Sequence, residues 1–250
     1  MSQLDDLLRD LVIANRILSN EDVVDAYGHI SVRHPHNPKR FFMSRSLAPQ
    51  LVERHDLIEF DQEGEPVTDK RQPYLERFIH AAIFEARPNV TAVVHAHAED
   101  TLPFGLVATP LEPVIHSGSF IGGKVPVWDI RTKFGDTNLL VTNMIQGRDL
   151  AKCMGDGNVA LMRGHGFVSA APSIIEVVRL SVYLPRNARV QMNAMRIGGK
   201  VKVLSKGEIA ARAAGYKPNA PETWRAWEYW ATRAGCGDKI GKVPRARAGK

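Results

Sequence analysis

One β-branched run constrains the fold of this chain more than any other segment. Residues 91–95 read Thr-Ala-Val-Val-His, a sequence typical of a strand buried within a sheet. A buried strand needs neighbours for its backbone N–H and C=O groups and other elements to cover its side chains. The rest of the chain must therefore supply further strands and a covering layer.

Helical and strand patterns are mixed along the chain. Amphipathic spacing predicts a helix over residues 3–18, and short strands are predicted over residues 30–34 and 41–44. The further predicted elements are helices over residues 73–87, 139–154 and 172–195 and a short strand over residues 113–116. Pro185 should kink the last of these helices unless the helix ends there. Hairpin-like strand pairs beside single crossovers favour one α/β domain with a mixed or antiparallel sheet.

The charge balance first suggests a nucleic-acid-binding protein, but its distribution argues against one. The 250 residues contain 33 Lys and Arg against 27 Asp and Glu, a net charge of +6. Five of the basic residues lie in the last twelve positions, which hold no acid, so residues 1–238 carry only +1. A groove-binding protein needs its cations spread over a folded face. We therefore expect no nucleic-acid partner and a basic tail without an assigned role.

The sequence predicts a cytoplasmic protein with no membrane partner. No apolar run approaches the about 20 residues that span a bilayer, and the acidic start Met1–Asp6 lacks the order of a signal peptide. The only cysteines, Cys153 and Cys236, are too few for a disulfide framework.

Three histidines combine spacing with context. In a strand, His95 and His97 lie on the same face about 6.6 Å apart, so both imidazoles can converge on one divalent ion such as Zn, Mn or Fe. The pair alone is more typical of two histidines that face solvent at a strand end. His165 lies between two glycines, which predicts a tight turn that exposes its ring. It is either a third ligand or an incidental residue of a hairpin turn.

Glu76 is the fourth candidate. It lies in the first turn of the helix predicted after Pro73, where a carboxylate interacts favourably with the helix dipole. Beside a metal, the same carboxylate can serve as a ligand or as a general acid or base.

Five short motifs, in this order, resemble the class II aldolase/adducin family. They are Tyr27–Arg33, Ser44–Leu47, Glu76 with the helix after it, His95-Ala-His97 and Gly164-His165-Gly166. The resemblance runs from about Leu4 to Tyr216. It implies an α/β, class II aldolase-like three-layer fold, with a central mainly antiparallel sheet flanked by helices. We assign residues 1–220 to this catalytic domain and residues 221–250 to a C-terminal helix and basic tail.

The resemblance also implies roles for individual residues. His95, His97 and His165 would hold a divalent metal, and Glu76 would be the acid/base or a further ligand. Enzymes of the family are commonly homotetramers with active sites at subunit interfaces, which predicts a homo-oligomer for this chain.

Departures from the family pattern indicate the substrate class. Sugar-phosphate enzymes of the family carry small hydroxylated residues just before the glutamate, where they bind phosphate, whereas this chain has Tyr74 and Leu75. The asparagine of the early strand is His29, and Arg45 stands in the following loop, where its planar fork suits a carboxylate. This set resembles the decarboxylating branch of the family.

The resemblance therefore implies a divalent-metal-dependent decarboxylase that acts in aromatic catabolism on a small anionic molecule. Its substrate would be a hydroxylated aromatic or pyridine dicarboxylate or a related hydroxy-carboxymuconic semialdehyde. The metal would stabilise an oxyanion as a Lewis acid, and Glu76 or His29 would protonate the ring carbon. The residues assigned to substrate binding are Arg45, Ser46, Tyr74 and His116, although His116 is equally typical of an ordinary loop.

Three other functions fit the same residues. The first is an aldolase or epimerase of a non-phosphorylated hydroxy-keto acid, and the second is an iron-dependent oxygenase. The third is an adducin-like binding module, against which the complete histidine set argues.

Three tryptophans near the C-terminus, Trp224, Trp227 and Trp230, follow a period of three. This spacing favours a helix packed on the core. The alternative is a helix that covers the active-site pocket of a neighbouring subunit.

Overall fold

Seven strands form one sheet in the computed structural model of the chain, which describes residues 2–217 and 220–241. In chain order they are β1 (His29–Arg33), β2 (Phe41–Ser44), β3 (Leu57–Phe60), β4 (Ala92–Ala96), β5 (Val127–Trp128), β6 (Val159–Met162) and β7 (Gly166–Ala171). Their order across the sheet is β3-β2-β1-β4-β7-β6-β5, and only the pair of β5 and β6 is parallel among these strands. The prediction of a mainly antiparallel sheet is confirmed.

The strand predicted from the β-branched run lies in the middle of this sheet. All five residues of β4 are buried, and the strand pairs with β1 on one side and β7 on the other. The register places His29 of β1 directly opposite His95 of β4. Residues paired in this way share one face of the sheet, so the two rings project into the same layer.

Helices cover both faces of the sheet. In chain order they are α1 (Gln3–Asn20), α2 (Arg77–Ala86), α3 (Arg131–Phe134), α4 (Met144–Met154), α5 (Ile174–Ile197), α6 (Lys206–Ala214) and α7 (Pro221–Arg233). Ile30 of β1 and Val94 of β4 pack with α1, α5 and α7 in one core. Val93, the residue before Val94 in the same strand, packs with α2 and α4 in the other core. Alternate strand residues therefore face opposite layers, and the predicted three-layer α/β fold is confirmed.

The helix predicted over residues 139–154 begins later than its apolar pattern indicates. Asn143 is the N-cap of α4 and accepts a hydrogen bond from the backbone N–H of Gln146. Leu139 has a φ of +67°, a left-handed conformation that does not occur within an α-helix. Residues 139–143 therefore form a loop, and this loop reaches the candidate metal centre.

The short strand predicted over residues 113–116 does not form. The backbone N–H groups of Val114 and Ile115 both donate to Oδ1 of Asn187, at 2.8 and 3.3 Å. A side chain of α5 thus occupies the donors that a neighbouring strand would need, and His116 instead begins a short 3-10 helix, His116–Ile121.

Helix α5 does not end at Pro185. The proline is buried inside the helix, with Leu184 and Ala188 buried beside it. Burial of a large apolar side chain stabilises by about 1.5–3 kcal/mol, and several such residues together offset the about 3 kcal/mol cost of an internal proline.

The C-terminal helix packs on the core, as the spacing of its tryptophans favoured. Trp227 and Trp230 are 1% and 3% exposed and belong to the same apolar cluster as α1 and α5.

Residues 242–250 of the basic tail lie outside the described residues, and the division at residue 220 stays a prediction. Over the described part of the chain, no helix is both long enough and apolar enough to cross a membrane.

Candidate metal centre

Four of the predicted site residues come together at one end of the central strands. His95 lies near the end of β4 and His97 follows the strand, while Glu76 is the N-cap residue of α2. His165 lies in the turn between β6 and β7, where its N–H donates to the carbonyl of Met162. Three separate parts of the chain therefore contribute to one cluster.

The two glycines beside His165 have different roles. Gly164 has a φ of +65°, the left-handed conformation that the tight turn requires. Gly166 allows β7 to approach β4, because a Cβ atom there would lie 2.2 Å from the carbonyl oxygen of Ala96 and 3.0 Å from Cδ2 of His97. The predicted tight turn around His165 is present, and it brings the third imidazole to the other two.

The ligand atoms of Glu76, His95, His97 and His165 all lie within 4.8 Å of one another. Glu76 Oε2 is 3.3 Å from His95 Nε2 and 3.4 Å from His165 Nε2, and the Nε2 atoms of His95 and His97 are 3.0 Å apart. Atoms about 2.1 Å from one ion at a tetrahedral angle are about 3.4 Å apart, so the three imidazoles and the carboxylate fit a divalent metal.

Hydrogen bonding supports the same conclusion. His95 Nδ1 lies 3.0 Å from the carbonyl oxygen of Phe167, which can only accept, so Nδ1 carries the proton in this bond. Nε2 of His95 then faces the carboxylate of Glu76, 3.3 Å from Oε2, so an ion placed between the two residues could be bound by both atoms.

The surroundings of His97 and Glu76 keep both residues in the protonation states that a metal site needs. Burial, together with the neighbouring rings of His95 and His165, lowers the pKa of His97 to about 4, so this imidazole is neutral at neutral pH. Burial alone would raise the pKa of Glu76, but the His95 and His165 rings outweigh it and bring the pKa below its usual value. Glu76 is therefore a carboxylate and not a carboxylic acid.

Glu76 does not cap its helix with its side chain. No capping hydrogen bond is formed by the carboxylate, and Oε1 instead accepts from the backbone N–H of Val141 at 3.0 Å. The loop over residues 139–143 thus fixes the carboxylate while its other oxygen faces the imidazoles. The role suggested by the helix dipole alone does not account for this orientation.

A buried histidine pair adjoins the cluster. His29 Nδ1 lies 2.7 Å from His80 Nε2, and His80 Nδ1 lies 2.6 Å from Ser31 Oγ. His29 is 4% exposed and His80 is completely buried, and the ring of His29 lies 5.2 Å from that of His95. Burial is the main reason that the pKa of His29 lies well below its ordinary value, and burial lowers the pKa of His80 to about 3.

The role of His80 is not apparent from its helical spacing. A position four residues after Glu76 on the same helix favours support for that glutamate, but the ring of His80 forms its hydrogen bonds with His29 and Ser31 of β1 instead. The only sequence signal for this contact is that His29 and Ser31 are two residues apart and therefore share a face of their strand.

Tyr74 packs against the ring of His29. The two ring centroids are 4.5 Å apart, and the Tyr74 hydroxyl donates to the carbonyl oxygen of Leu47. Burial raises the pKa of Tyr74, so the phenol keeps its proton. The loop that contains Ser46 is thereby tied to the residue just before Leu75 and Glu76.

Arg45 is held by an acid that the sequence did not indicate. Its Nε donates to Asp56 Oδ1 at 2.7 Å, and the side chain of Asp56 is 3% exposed. This pairing takes one edge of the guanidinium and leaves its terminal N–H groups for other acceptors. Ser46 is exposed in the same loop and donates its backbone N–H to Gln72.

A polar cavity adjoins the cluster, and His116 lines a different one. His97 lines a cavity of about 740 Å³, whose lining does not include Glu76, His95 or His165. His116 lines a separate cavity of about 480 Å³ between α5, α6 and α7. The role of His116 as a substrate ligand stays a prediction, as do the roles of the other site residues.

Comparison with known proteins gives a consistent result. Residues 9–192 match the family described as Class II Aldolase and Adducin N-terminal domain. Decarboxylase tropJ of Talaromyces stipitatus is 37% identical over 204 residues, which cover 76% of this chain and 77% of that protein. A 3,4-dihydroxyphthalate decarboxylase of Arthrobacter keyseri is 27% identical over 216 residues, which cover 80% and 83%. An aldolase II superfamily protein from Pseudomonas syringae has the same fold, with a TM-score of 0.78 over 96% of both chains at 21% identity.

Proposed function

This chain belongs to the class II aldolase and adducin family, and on that premise we propose that it is a divalent-metal-dependent decarboxylase of a hydroxylated aromatic or pyridine dicarboxylate. The family and the decarboxylase relatives support a lyase. The observation that carries the proposal is the convergence of three imidazoles and one carboxylate beside the buried His29. A related hydroxy-carboxymuconic semialdehyde is a substrate of the same chemical kind.

The metal would be Zn, Mn or Fe, held by His95, His97 and His165 with Glu76. When bound, it supplies Lewis-acid stabilisation to an oxygen that gains negative charge. Imidazole nitrogen suits Zn and Fe, and the carboxylate of Glu76 adds an oxygen ligand of the kind that Mn prefers. Mg and Ca favour sites built from oxygen ligands alone. The carboxylate of Glu76 offsets part of the charge of the ion, and the N–H of Val141 keeps that carboxylate in place.

Arg45 and Tyr74 orient the substrate in this proposal. The terminal N–H groups of Arg45 bind a carboxylate that stays on the ring, because a carboxylate held tightly by a cation is stabilised against loss. Tyr74 presents an aromatic face next to His29 and closes the site on that side. A serine at this position would leave room for a phosphate, so Tyr74 also selects against sugar phosphates.

His29 supplies the proton in preference to Glu76. When the bond between the ring carbon and the departing carboxylate breaks, CO2 leaves and the ring carbon must take up one proton. Glu76 is held as a carboxylate and has none to give. An anionic substrate beside His29 raises the pKa of that ring, which then takes a proton from solvent and delivers it from Nε2, because Nδ1 is bonded to His80.

The direct test is CO2 release from 3,4-dihydroxyphthalate and related hydroxylated dicarboxylates by the purified protein, assayed together with its metal content. We expect His97→Ala to lose both the bound metal and the activity. The exposed His36 is a matched control, and His36→Ala should retain both. Full activity of His97→Ala without metal would contradict the proposal.

The same screen separates the alternatives. Release of pyruvate from a hydroxy-keto acid without CO2 release would indicate an aldolase. A metal-free protein without either activity would indicate an adducin-like binding module. We also propose a homotetramer, which sedimentation equilibrium of the full chain measures directly.

A further inference from the structure

A second cavity, between α5, α6 and α7, carries a cluster of arginines that the proposed reaction does not use. It has a volume of about 480 Å³, within the range of small-molecule sites. Its charged lining residues are Arg179, Arg186, Arg212, Arg225 and Glu222. Arg186 pairs with Glu21 at 2.6 Å and Arg212 with Glu222, so Arg179 and Arg225 are the lining arginines without an ion pair among the described residues. None of the four residues of the candidate metal centre lines this cavity.

Arg179 is the buried member of this arginine cluster. It is 6% exposed, and its Cζ lies 3.7 Å from the ring centroid of Phe120 and 4.5 Å from that of Tyr216. Among residues 2–217 and 220–241, its Nε has no hydrogen-bond partner. The two aromatic rings attract the positive charge but do not accept N–H hydrogen bonds in the way a carboxylate does.

The carboxylates that favour the charged form of Arg179 are engaged elsewhere. Glu176 accepts from the hydroxyl of Ser173 at the start of α5, and Glu222 forms an ion pair with Arg212 at 3.1 Å. Burial outweighs the attraction of these carboxylates and lowers the pKa of Arg179 below its ordinary value. A buried cation without an acidic partner is costly, and a bound anion would remove that cost.

The cavity also has aromatic walls. Tyr183, Tyr229 and Trp230 line it, and the rings of Tyr183 and Trp230 pack edge to face with centroids 5.8 Å apart. Tyr229 is 58% exposed at the rim. Planar apolar surface beside a guanidinium suits a ligand with a ring and a carboxylate.

We propose that this cavity is a second ligand site, which binds a small aromatic carboxylate. The carboxylate pairs with the N–H edge of Arg179, Arg225 adds a second cation, and the ring packs against Tyr183 and Tyr229. His116 belongs to this site by position, since it lines the same cavity. The proposal does not depend on the reaction at the metal centre.

Isothermal titration of the full-length protein with benzoate tests this assignment. We expect Arg179→Met to raise the Kd by about tenfold or more, because it removes a charge-assisted hydrogen-bond pair but keeps an unbranched side chain at this buried position. Arg225→Met changes an exposed residue and should raise the Kd several-fold without affecting the fold. The control is Arg196→Met, which removes the same charge from the exposed end of α5 and should leave the Kd unchanged.

Two results would overturn the location of the site, and a comparison with acetate tests its aromatic walls. The first is an unchanged benzoate affinity in both Arg179→Met and Arg225→Met. The second is loss of benzoate binding in His97→Ala, which would assign the ligand to the metal centre. Acetate should bind several-fold more weakly than benzoate, and equal affinities would contradict the role of the aromatic walls. A catalytically inactive protein that still binds benzoate through Arg179 would leave this proposal intact.

Discussion

His29 is fixed on two sides by neutral groups. Tyr74 covers one side of the ring, and the hydrogen bonds from His29 to His80 and from His80 to Ser31 fix the other. Burial lowers the pKa of both histidines, so without a bound anion neither is charged at neutral pH. His80 thus acts as a positioning residue that sets the orientation and the tautomer of His29.

We predict that His80→Ala lowers kcat of the proposed decarboxylation by about 10–100-fold, because His29 loses the partner that orients it. KM and the metal content should stay within about twofold of the wild type. His80→Gln keeps one hydrogen-bonding group and should restore part of the loss. Steady-state kinetics with metal analysis measures all three quantities, and loss of metal with an unchanged kcat per metal would contradict the positioning role.

The buried acid Asp56 links residue chemistry to stability. Its side chain accepts from the backbone N–H of Glu53 and from Arg45. Burial would raise the pKa of Asp56, but these two donors outweigh it and bring the pKa below its ordinary value. The stabilisation is therefore fully present above the unfolded-state pKa of about 3.9 and is lost as the pH falls through the folded-state pKa.

We predict that Asp56→Asn lowers the free energy of unfolding by about 1–3 kcal/mol at pH 7. The difference from the wild type should shrink as the pH falls below about 4, because the wild-type carboxyl then becomes protonated. Urea unfolding of both proteins at a series of pH values measures this difference in the free energy of unfolding. Asp136→Asn, at a residue whose side chain is 89% exposed, should change the stability by less than about 0.5 kcal/mol at any pH.

The sequence indicated the residues of the centre more readily than their partners. His95, His97, His165 and Glu76 lie in short local motifs that resemble the family, although the spacing of His95 and His97 alone favours solvent-facing histidines and the position of Glu76 alone favours a helix-dipole role. The contact between His80 and His29 spans 51 positions, and that between Asp56 and Arg45 depends on how the segment before β3 folds back. No local period encodes such contacts, since they arise only when a helix packs on a sheet or a loop closes.

At the scale of the elements, the centre depends on how closely β7 approaches β4. Gly166 pairs with Met162 of β6 at the start of β7, and the carbonyl of Ala96 fills the space that a side chain would need. Closer strand contact here draws the β6–β7 turn, and with it His165, toward His97.

We predict that Gly166→Ala lowers the free energy of unfolding by about 1–3 kcal/mol, because a Cβ atom 2.2 Å from the Ala96 oxygen forces the strands apart. Metal affinity should also fall, since His97 is displaced. Gly123→Ala is the matched control, because no atom lies within 4 Å of the position of its added Cβ. Urea unfolding and metal titration of both variants measure these effects, and equal stabilities would refute the packing role.

The elements themselves were predictable where burial and propensity agree. The β-branched run became β4, and the amphipathic segment at the start became α1. The expected strand over residues 113–116 failed because one side chain, Asn187, supplied the hydrogen bonds that decide whether a strand forms. The pattern predicts a start for α4 that is too early, because the apolar residues 139–141 belong to a loop. In this loop the backbone N–H of Val141 donates to the carboxylate of Glu76.

At the scale of the whole molecule, the centre joins a helix of one covering layer to the central strand and a turn of the sheet. Glu76 belongs to α2, His95 and His97 to the end of β4, and His165 to the β6–β7 turn. An ion at the centre would contact residues of all three of these elements. A bound ion therefore stabilises the arrangement of three elements at once, and the unfolded chain has no comparable site.

We predict that chelation lowers the melting temperature of the purified protein by about 5–10 °C. An ion at about 100 times its Kd adds about 2.7 kcal/mol to the stability, and 1 kcal/mol corresponds to about 2–4 °C for a chain of this size. Differential scanning calorimetry with and without chelator measures the shift, and added metal should reverse it. In His97→Ala the melting temperature should not respond to the chelator, because the variant lacks one of the four ligands of the centre and no longer binds the ion. An equal response in the wild type and His97→Ala would show that the stabilising ion binds elsewhere.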